Sequence, residues 1–177
     1  MPLTLVTTVG AATANSYATV LEADTLAAEL APPPAAWLAS SADEKGRALV
    51  TAFRRLDREC FLGARVDGMQ AGEWPRSGTY QPDYVTLIDT TVVPVSIKRA
   101  QILIAFAIRK AIAAGDDGLA PSDLAGLSSI DLGSELSMTF DGAGAGAIPT
   151  IERLMAQTIR PLLGNLVYAP QPRMVRG

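Results

Sequence analysis

The stretch VPVSIKRAQILIAFAIRK, residues 93–110, decides the fold of this chain. Pro94 is tolerated in the first turn of a helix, and the apolar residues that follow it recur at intervals of three and four. Ile102 and Phe106 lie off that apolar stripe, so the predicted helix is apolar nearly all round. A helix of this kind is buried on most of its sides. We therefore expect the central helix of the protein here, ending near Gly115.

Two further helices are predicted upstream, each starting at a capping box. Residues 19–22 and 41–44 both have the Ser/Thr-x-x-Glu spacing in which a hydroxyl and a carboxylate bind the free amides of a helix start. The first helix is expected over residues 20–30, where three prolines at 32–34 end it. The second carries Leu49, Phe53, Leu56 and Cys60 down one face, which makes Cys60 a small apolar core residue in this interpretation.

The remaining segments add short β structure and a last helix. Residues 3–9 predict a short strand or an extended arm, residues 116–134 a linker, and residues 135–140 a half-buried strand by their alternation. A last helix is expected from residue 149, bent or ended by Pro161 and finished by Gly164. The predicted fold is mainly α, a small bundle of about four helices with a short β element and extended N- and C-terminal segments. We expect a helical domain over residues 1–164, with an inserted strand and loop region at about 116–148, and a C-terminal tail over residues 165–177.

Composition narrows the classes of function. A length of 177 residues with 49 % hydrophobic residues fits one globular domain, and the net charge of −3 gives no overall attraction for nucleic acid or an anionic membrane. No run of eighteen apolar residues and no signal peptide is visible, so we expect a soluble protein made in the cytoplasm. The chain has no histidine and one cysteine. We therefore expect no catalytic residue, no cofactor and no metal site.

The second predicted helix carries an arginine strip on the side opposite its apolar face. One interpretation is a strip that contacts the phosphates of a nucleic acid; the other is a solvated helix face whose arginines pair with Asp43, Glu44, Asp57 and Glu59. The members of the arginine strip are Arg47, Arg54, Arg55 and Arg58.

A loop at residues 73–78, EWPRSG, lies between two predicted helical regions. It contains the large ring of Trp74, the fixed backbone φ of Pro75 and the planar guanidinium of Arg76, which has five hydrogen-bond donors. The simplest interpretation is a tight turn in which Trp74 caps the core. The alternative is a loop built to contact a partner through Trp74, Pro75 and Arg76. A second glycine-rich run, residues 141–146, lacks the Gly-Lys-Ser/Thr ending of a phosphate-binding loop, so we expect a hinge there.

An ordered set of short motifs resembles a family of tailed-bacteriophage proteins. The motifs are Ala14-Asn15-Ser16-Tyr17 before the first helix, Leu21-Glu22-Ala23-Asp24 within it, Trp74-Pro75-Arg76-Ser77-Gly78, and Val93-Pro94 leading to Ile97-Lys98-Arg99-Ala100. Members of that family are often labelled DnaT-like single-stranded DNA-binding proteins and are similar to the head-tail adaptor, or connector, that docks under the portal of the capsid.

The resemblance implies a structural virion protein in the neck of the particle, at the portal vertex. It would form a homo-oligomer, a twelve-fold ring around the channel through which DNA leaves, docked on the portal protein and linked to a downstream stopper or tail protein. DNA would pass without specific binding, and no membrane is involved. Trp74, Pro75 and Arg76 would lie at subunit contacts. The tail would reach a partner through Tyr168, Arg173, Met174 and Arg176.

The two labels of that family make different physical demands. A single-strand binder needs stacking aromatics beside basic residues, whereas a channel ring needs a wall that does not hold DNA. The acidic balance and the low aromatic content of 6 % favour the adaptor ring. The alternative is a single-stranded DNA-binding module that uses the arginine strip.

Overall fold

The computed structural model describes residues 3–81, 85–115, 129–131, 137–139 and 158–167. Its helices confirm the predicted mainly α class, and its short antiparallel strands supply the β element. The helices are α1 (Val20–Glu29), α2 (Ala35–Leu38), α3 (Ala42–Leu56), α4 (Val95–Ala113) and α5 (Arg160–Leu163). The strands are β1 (Ala64–Arg65), β2 (Arg76–Ser77), β3 (Ser129–Asp131) and β4 (Ser137–Thr139).

Helix α4 is the centre of the core, as its sequence predicts. It packs against α3, α2 and α5. Ile97, Ala100 and Ile104 on the apolar stripe are fully buried, and Ile102 and Phe106 off that stripe are buried as well. The helix ends at Ala113, two residues before Gly115, whose φ is 84°. The middle of the helix is therefore buried on most of its sides, while Val95 and Ile112 at its two ends are exposed.

Both predicted capping boxes are present. The Thr19 hydroxyl accepts from the Glu22 amide at 3.1 Å, and the Glu22 carboxylate accepts from the Thr19 amide at 2.7 Å. Ser41 and Glu44 make the same reciprocal pair at the start of α3. Each cap contributes about 1 kcal/mol to helix stability. The first turn of each helix is thereby fixed by residues that are adjacent in sequence.

One polar side chain lies in the middle of this apolar core. Gln101 is fully buried on α4, and its Oε1 accepts from the amides of Tyr17 at 2.9 Å and Ala18 at 3.1 Å. Its Nε2 donates to the Ser16 hydroxyl and to the Leu49 carbonyl, both at 2.8 Å. Gln101 therefore joins the segment before α1 to both α3 and α4.

The N-terminal segment from residue 3 is the extended arm that the sequence predicts, and it pairs with none of the described strands. Its Val6 amide donates to the Asn15 side-chain carbonyl at 2.8 Å, and the Val6 carbonyl accepts from the Asn15 amide.

The prediction missed α2, whose Trp37 is buried and donates through Nε1 to Asp24 at 2.8 Å. A single helical turn is too short for a periodic pattern to indicate it.

The strand expected at residues 135–140 is β4, Ser137–Thr139, paired antiparallel with β3. The predicted linker over residues 116–134 contains a strand that the sequence did not indicate, β3 at Ser129–Asp131. The sequence around β3 is polar and rich in glycine, so it has no strand pattern. Because β-propensity depends on the partner strand, a three-residue strand in such a segment is not recognisable from sequence alone. The predicted hinge at residues 141–146 lies outside the described residues.

The described end of the last predicted helix is α5, with Pro161 in its first turn and Gly164 at its end. The core continues past it. Leu166 is buried, its carbonyl accepts from the Leu62 amide at 2.8 Å, and Val167 bridges to Phe61. The first residues of the predicted tail are therefore packed against the segment that follows α3. The start of the predicted helix, residues 149–157, lies outside the described residues.

Candidate functional site

The arginine strip lies along the outer side of α3. The apolar side of the same helix packs on the core. Arg47 and Arg54 are exposed on one side of α3, seven residues or about two turns apart, and the exposed Arg58 lies two residues beyond the end of the helix. Arg55 is half-buried beside Arg54. At 1.5 Å of rise per residue, the seven steps from Arg47 to Arg54 cover about 10 Å of surface, and Arg58 extends the strip past the end of the helix. The strip is long enough to follow a stretch of nucleic-acid backbone.

The four carboxylates that could neutralise the strip have different partners. Asp43 does pair with Arg47, at 2.8 Å. Glu44 instead binds Arg109 of α4 at 2.8 Å, and Glu59 pairs with Arg160 of α5 at 3.5 Å. The fourth carboxylate, Asp57, accepts a hydrogen bond from the Tyr17 hydroxyl.

Arg54 and Arg58 consequently keep an open guanidinium. Within the part of the chain that the structure describes, neither has an ion-pair partner. The solvated-face interpretation agrees with the exposure of Arg47, Arg54 and Arg58 and with the Asp43–Arg47 pair. The contacts given above for the other three carboxylates are with residues outside the strip.

Aromatic side chains that could stack on bases are mostly in the core. Both tryptophans are buried, and so are Tyr17, Phe53, Phe61 and Phe106. Tyr80 is the one aromatic side chain of the described residues that is exposed, at 43 %. Any contact that α3 makes with DNA therefore depends on charge more than on stacking.

The loop at residues 73–78 lies inside the protomer. Trp74 is 1 % exposed and packs edge-on against Phe61, with ring centroids 5.8 Å apart. Its backbone amide donates to the Tyr17 hydroxyl at 3.1 Å. This agrees with the turn that caps the core, the simpler of the two interpretations.

Arg76 is buried and uses its guanidinium within the chain. Nε donates to the Leu62 carbonyl at 2.8 Å, Nη2 to the Gly63 carbonyl at 2.7 Å and the Phe61 carbonyl at 3.2 Å, and Nη1 to the Glu73 carboxylate at 2.5 Å. Gly63 has a φ of 74°, and a Cβ there would lie 2.1 Å from the Ser77 carbonyl oxygen. Arg76 thus binds the turn after α3 to the loop.

Trp74, Pro75 and Arg76 are all buried within the chain, and their predicted place at subunit contacts stays a prediction. The Arg76 guanidinium donates to backbone carbonyls of the same chain, and the Trp74 ring packs on Phe61 in the core. The tail residues Tyr168, Arg173, Met174 and Arg176 lie outside the described residues.

A buried polar network joins the loop to α3. The Tyr17 hydroxyl donates to Asp57, and the Glu73 amide donates to the same carboxylate at 3.4 Å. Burial raises the pKa of Asp57 to about 6, and the negative charge of Glu73 adds to the rise. Burial and the Asp57 carboxylate raise the pKa of Tyr17 above its ordinary value, so Tyr17 stays a donor. Sequence reasoning missed this network, as it missed Gln101, because its members are far apart in the chain.

The described residues offer neither a cluster of metal ligands nor a membrane-spanning helix. They contain no group of three or more histidine, cysteine, aspartate or glutamate side chains that could hold a metal ion. None of their helices is both long enough and apolar enough to span a membrane. Cys60 is exposed, which corrects its prediction as a buried residue, since α3 ends at Leu56 before the stripe reaches it.

Comparison with known proteins gives one match. The model of the family described as "Putative DnaT-like ssDNA binding protein" matches residues 1–177. No curated protein and no solved structure matches the chain.

Proposed function

Since the chain belongs to the family of DnaT-like ssDNA binding proteins, we propose that it binds single-stranded DNA through the arginine strip of α3. The observation that carries the proposal is the open row of guanidinium groups. Arg54 and Arg58 are exposed, while Glu44 and Glu59 pair with arginines outside the strip.

The chemistry of this surface suits the phosphate backbone. A guanidinium presents a planar fork of donors that matches two phosphate oxygens, and its charge does not depend on pH in the physiological range. Because all the aromatic side chains of the described residues except Tyr80 are buried, base identity is expected to contribute little. Binding is therefore expected to be weak, independent of sequence and strongly dependent on salt. The overall charge of −3 opposes it at long range.

Fluorescence anisotropy with a labelled oligonucleotide tests the proposal. We expect binding at low salt, similar affinities for oligonucleotides of different sequence, and a loss of affinity as salt rises, since each neutralised phosphate releases counterions. Absence of binding at low salt would contradict the proposal. An affinity that does not change with salt would exclude the arginine strip as its basis.

A second candidate function is the structural adaptor: a twelve-fold ring docked on a portal protein in the neck of a phage particle, linked to a stopper or tail protein and surrounding the DNA channel. Two observations favour it. The net charge is −3, and the aromatic side chains that a single-strand binder needs are mostly buried. A surface with little hold on bases suits DNA that slides past it.

Electron microscopy of purified particles tests this candidate. The adaptor function predicts a ring of this protein at the portal vertex. Particles without the chain at that vertex would exclude it. The two candidates also differ in isolation, because the first requires oligonucleotide binding by the purified protein and the second does not.

A further inference from the structure

The chain segment that carries the arginine strip has little net positive charge of its own. Residues 43–59 contain five basic and four acidic side chains. One of the basic residues, Lys45, pairs with Asp24 of α1 at 2.8 Å, and Asp43 pairs with Arg47 of the strip at 2.8 Å. Carboxylates beside a guanidinium repel the phosphate that the guanidinium attracts. The arginine strip therefore depends on other elements of the fold for the positive charge that an anion needs.

One such charge lies at the C-terminal end of the strip, where Glu59 directly follows Arg58. The Glu59 side chain is 17 % exposed and pairs with Arg160 of α5 at 3.5 Å. The core sets the position of Arg160, because Leu163 and Leu166, which follow it, are both buried. The charge of Glu59 is thereby balanced beside the last arginine of the strip.

A second charge lies at the N-terminal end of the strip, where Glu44 precedes Arg47 by three residues. Arg109 of α4 donates through Nη2 to the Glu44 carboxylate at 2.8 Å and through Nε to the Ser40 hydroxyl at 2.7 Å. The Arg109 side chain is 13 % exposed, so its guanidinium is fixed by these two contacts and presents little surface to a ligand. Each end of the strip thus has a carboxylate that is paired with an arginine of another helix.

We propose that Arg109 and Arg160 are positioning residues for nucleic-acid binding: each holds one carboxylate in an ion pair, and the two pairs together give the arginine strip its positive potential. This inference rests on the proposed binding of single-stranded DNA through the strip, and it adds two residues that set the affinity without contacting the ligand. Ion pairs at the surface contribute little to folding. Loss of such a pair should therefore change the affinity more than the stability.

Neutral substitutions at the Glu59–Arg160 pair test the inference. One unbalanced unit charge about 10 Å from a bound phosphate changes the affinity about two- to fourfold at a dielectric constant of about 40–80. We therefore expect Arg160→Gln to bind a labelled oligonucleotide about two- to fourfold more weakly than the wild type at low salt. Glu59→Gln should bind more tightly by a similar factor. The double variant Glu59→Gln/Arg160→Gln should bind as the wild type does, because both charges are lost together.

The opposite end of the strip and the salt concentration give two further measurements. Glu44→Gln should also bind more tightly, and glutamine at this position retains the capping box of α3. The weakening in Arg160→Gln should shrink between about 0.01 M and 0.15 M salt, where the Debye length falls from about 30 Å to about 8 Å. A loss of folded protein would instead lower the active fraction at every salt concentration.

Lys98→Gln is the matched control, because it removes the same charge from an ion pair between α1 and α4 that includes no residue of the strip. It should weaken binding less than Arg160→Gln does. An equal loss in both variants would overturn the inference, since the net charge of the chain would then be the cause.

Two other results would overturn the inference while the proposed function stands. One is an unchanged affinity of Arg160→Gln where Arg54→Gln/Arg58→Gln weakens binding. The other is a double variant as weak as Arg160→Gln, which would mean that Arg160 itself contacts the phosphates. Absence of binding by the wild type would overturn the proposed function and this inference with it.

Discussion

Gln101 is the residue at which local sequence reasoning and structure differ most. In the sequence it is a polar interruption of an apolar helix, and periodicity assigns it no role. In the structure its amide satisfies backbone groups of Tyr17, Ala18 and Leu49, which are 84, 83 and 52 positions away. Partners at such separations are brought together only by the tertiary fold. No single-sequence pattern could have found them.

Replacing Gln101 with leucine tests this role. The apolar side chain fits the volume of the core and leaves buried amides and a carbonyl without partners, at about 1–3 kcal/mol for each unsatisfied group. We expect the free energy of unfolding to fall by about 3 kcal/mol in chemical denaturation. A loss below about 0.5 kcal/mol, typical of surface substitutions, would show that Gln101 does not hold these segments together.

Asp57 gives the structure a pH dependence with a defined sign. Its folded pKa of about 6 lies above the ordinary value of 3.8 because burial disfavours the carboxylate. Its contribution to stability is therefore fully present below pH 4 and is lost as the pH rises through 6. Burial raises the pKa values of Glu22 and Asp24, but hydrogen bonds to Lys98 and Lys45 outweigh it, so both pKa values are lowered. The stability that these two carboxylates contribute is therefore lost as the pH falls, which is the opposite of the effect of Asp57.

Asp57→Asn removes the loss of unfolding free energy that Asp57 causes as the pH rises. We expect the wild type to lose about 1–2 kcal/mol relative to Asp57→Asn between pH 4.5 and 7, allowing for partial exposure of the carboxylate. Denaturation at several pH values measures the difference. Parallel curves for the two proteins would contradict the raised pKa.

At the scale of elements, sequence reasoning succeeded where the determinants are local. The two capping boxes fixed the starts of α1 and α3, and the long apolar run fixed α4. It failed for α2 and β3, which are too short to show a period, and it left the loop at residues 73–78 open between two interpretations. That choice depends on Phe61 and Tyr17, which pack around the loop from distant positions.

Trp74→Ala tests the loop as an element of the core. Removal of a buried tryptophan leaves a cavity, and the expected loss of unfolding free energy is about 3–5 kcal/mol. Val66→Ala, at an exposed position of the neighbouring turn, is the control and should change stability by less than about 0.5 kcal/mol. Thermal stability equal to that of the wild type would show that the loop does not support the core.

At the scale of the whole molecule, α3 performs two tasks. Its inner face builds the core with α4, and its outer face carries most of the arginine strip. Asp43 pairs with Arg47 of that strip, whereas Glu44 and Glu59 pair with arginines outside it. The sequence identified the strip but could not decide between phosphate contact and solvated ion pairs, because pairing depends on which carboxylates the fold brings close. Arg54 and Arg58 have no ion-pair partner among the described residues, and our proposal is that they bind the phosphates of single-stranded DNA.

The salt dependence of oligonucleotide binding tests this central claim most directly. Arg54→Gln/Arg58→Gln is compared with Arg99→Gln/Lys110→Gln, which removes the same charge from exposed positions on α4. We predict that the slope of log affinity against log salt becomes shallower by about 1.4 in the first variant, about 0.7 for each lost phosphate contact, and stays at the wild-type value in the second. Equal slopes in all three proteins would contradict binding through the arginine strip.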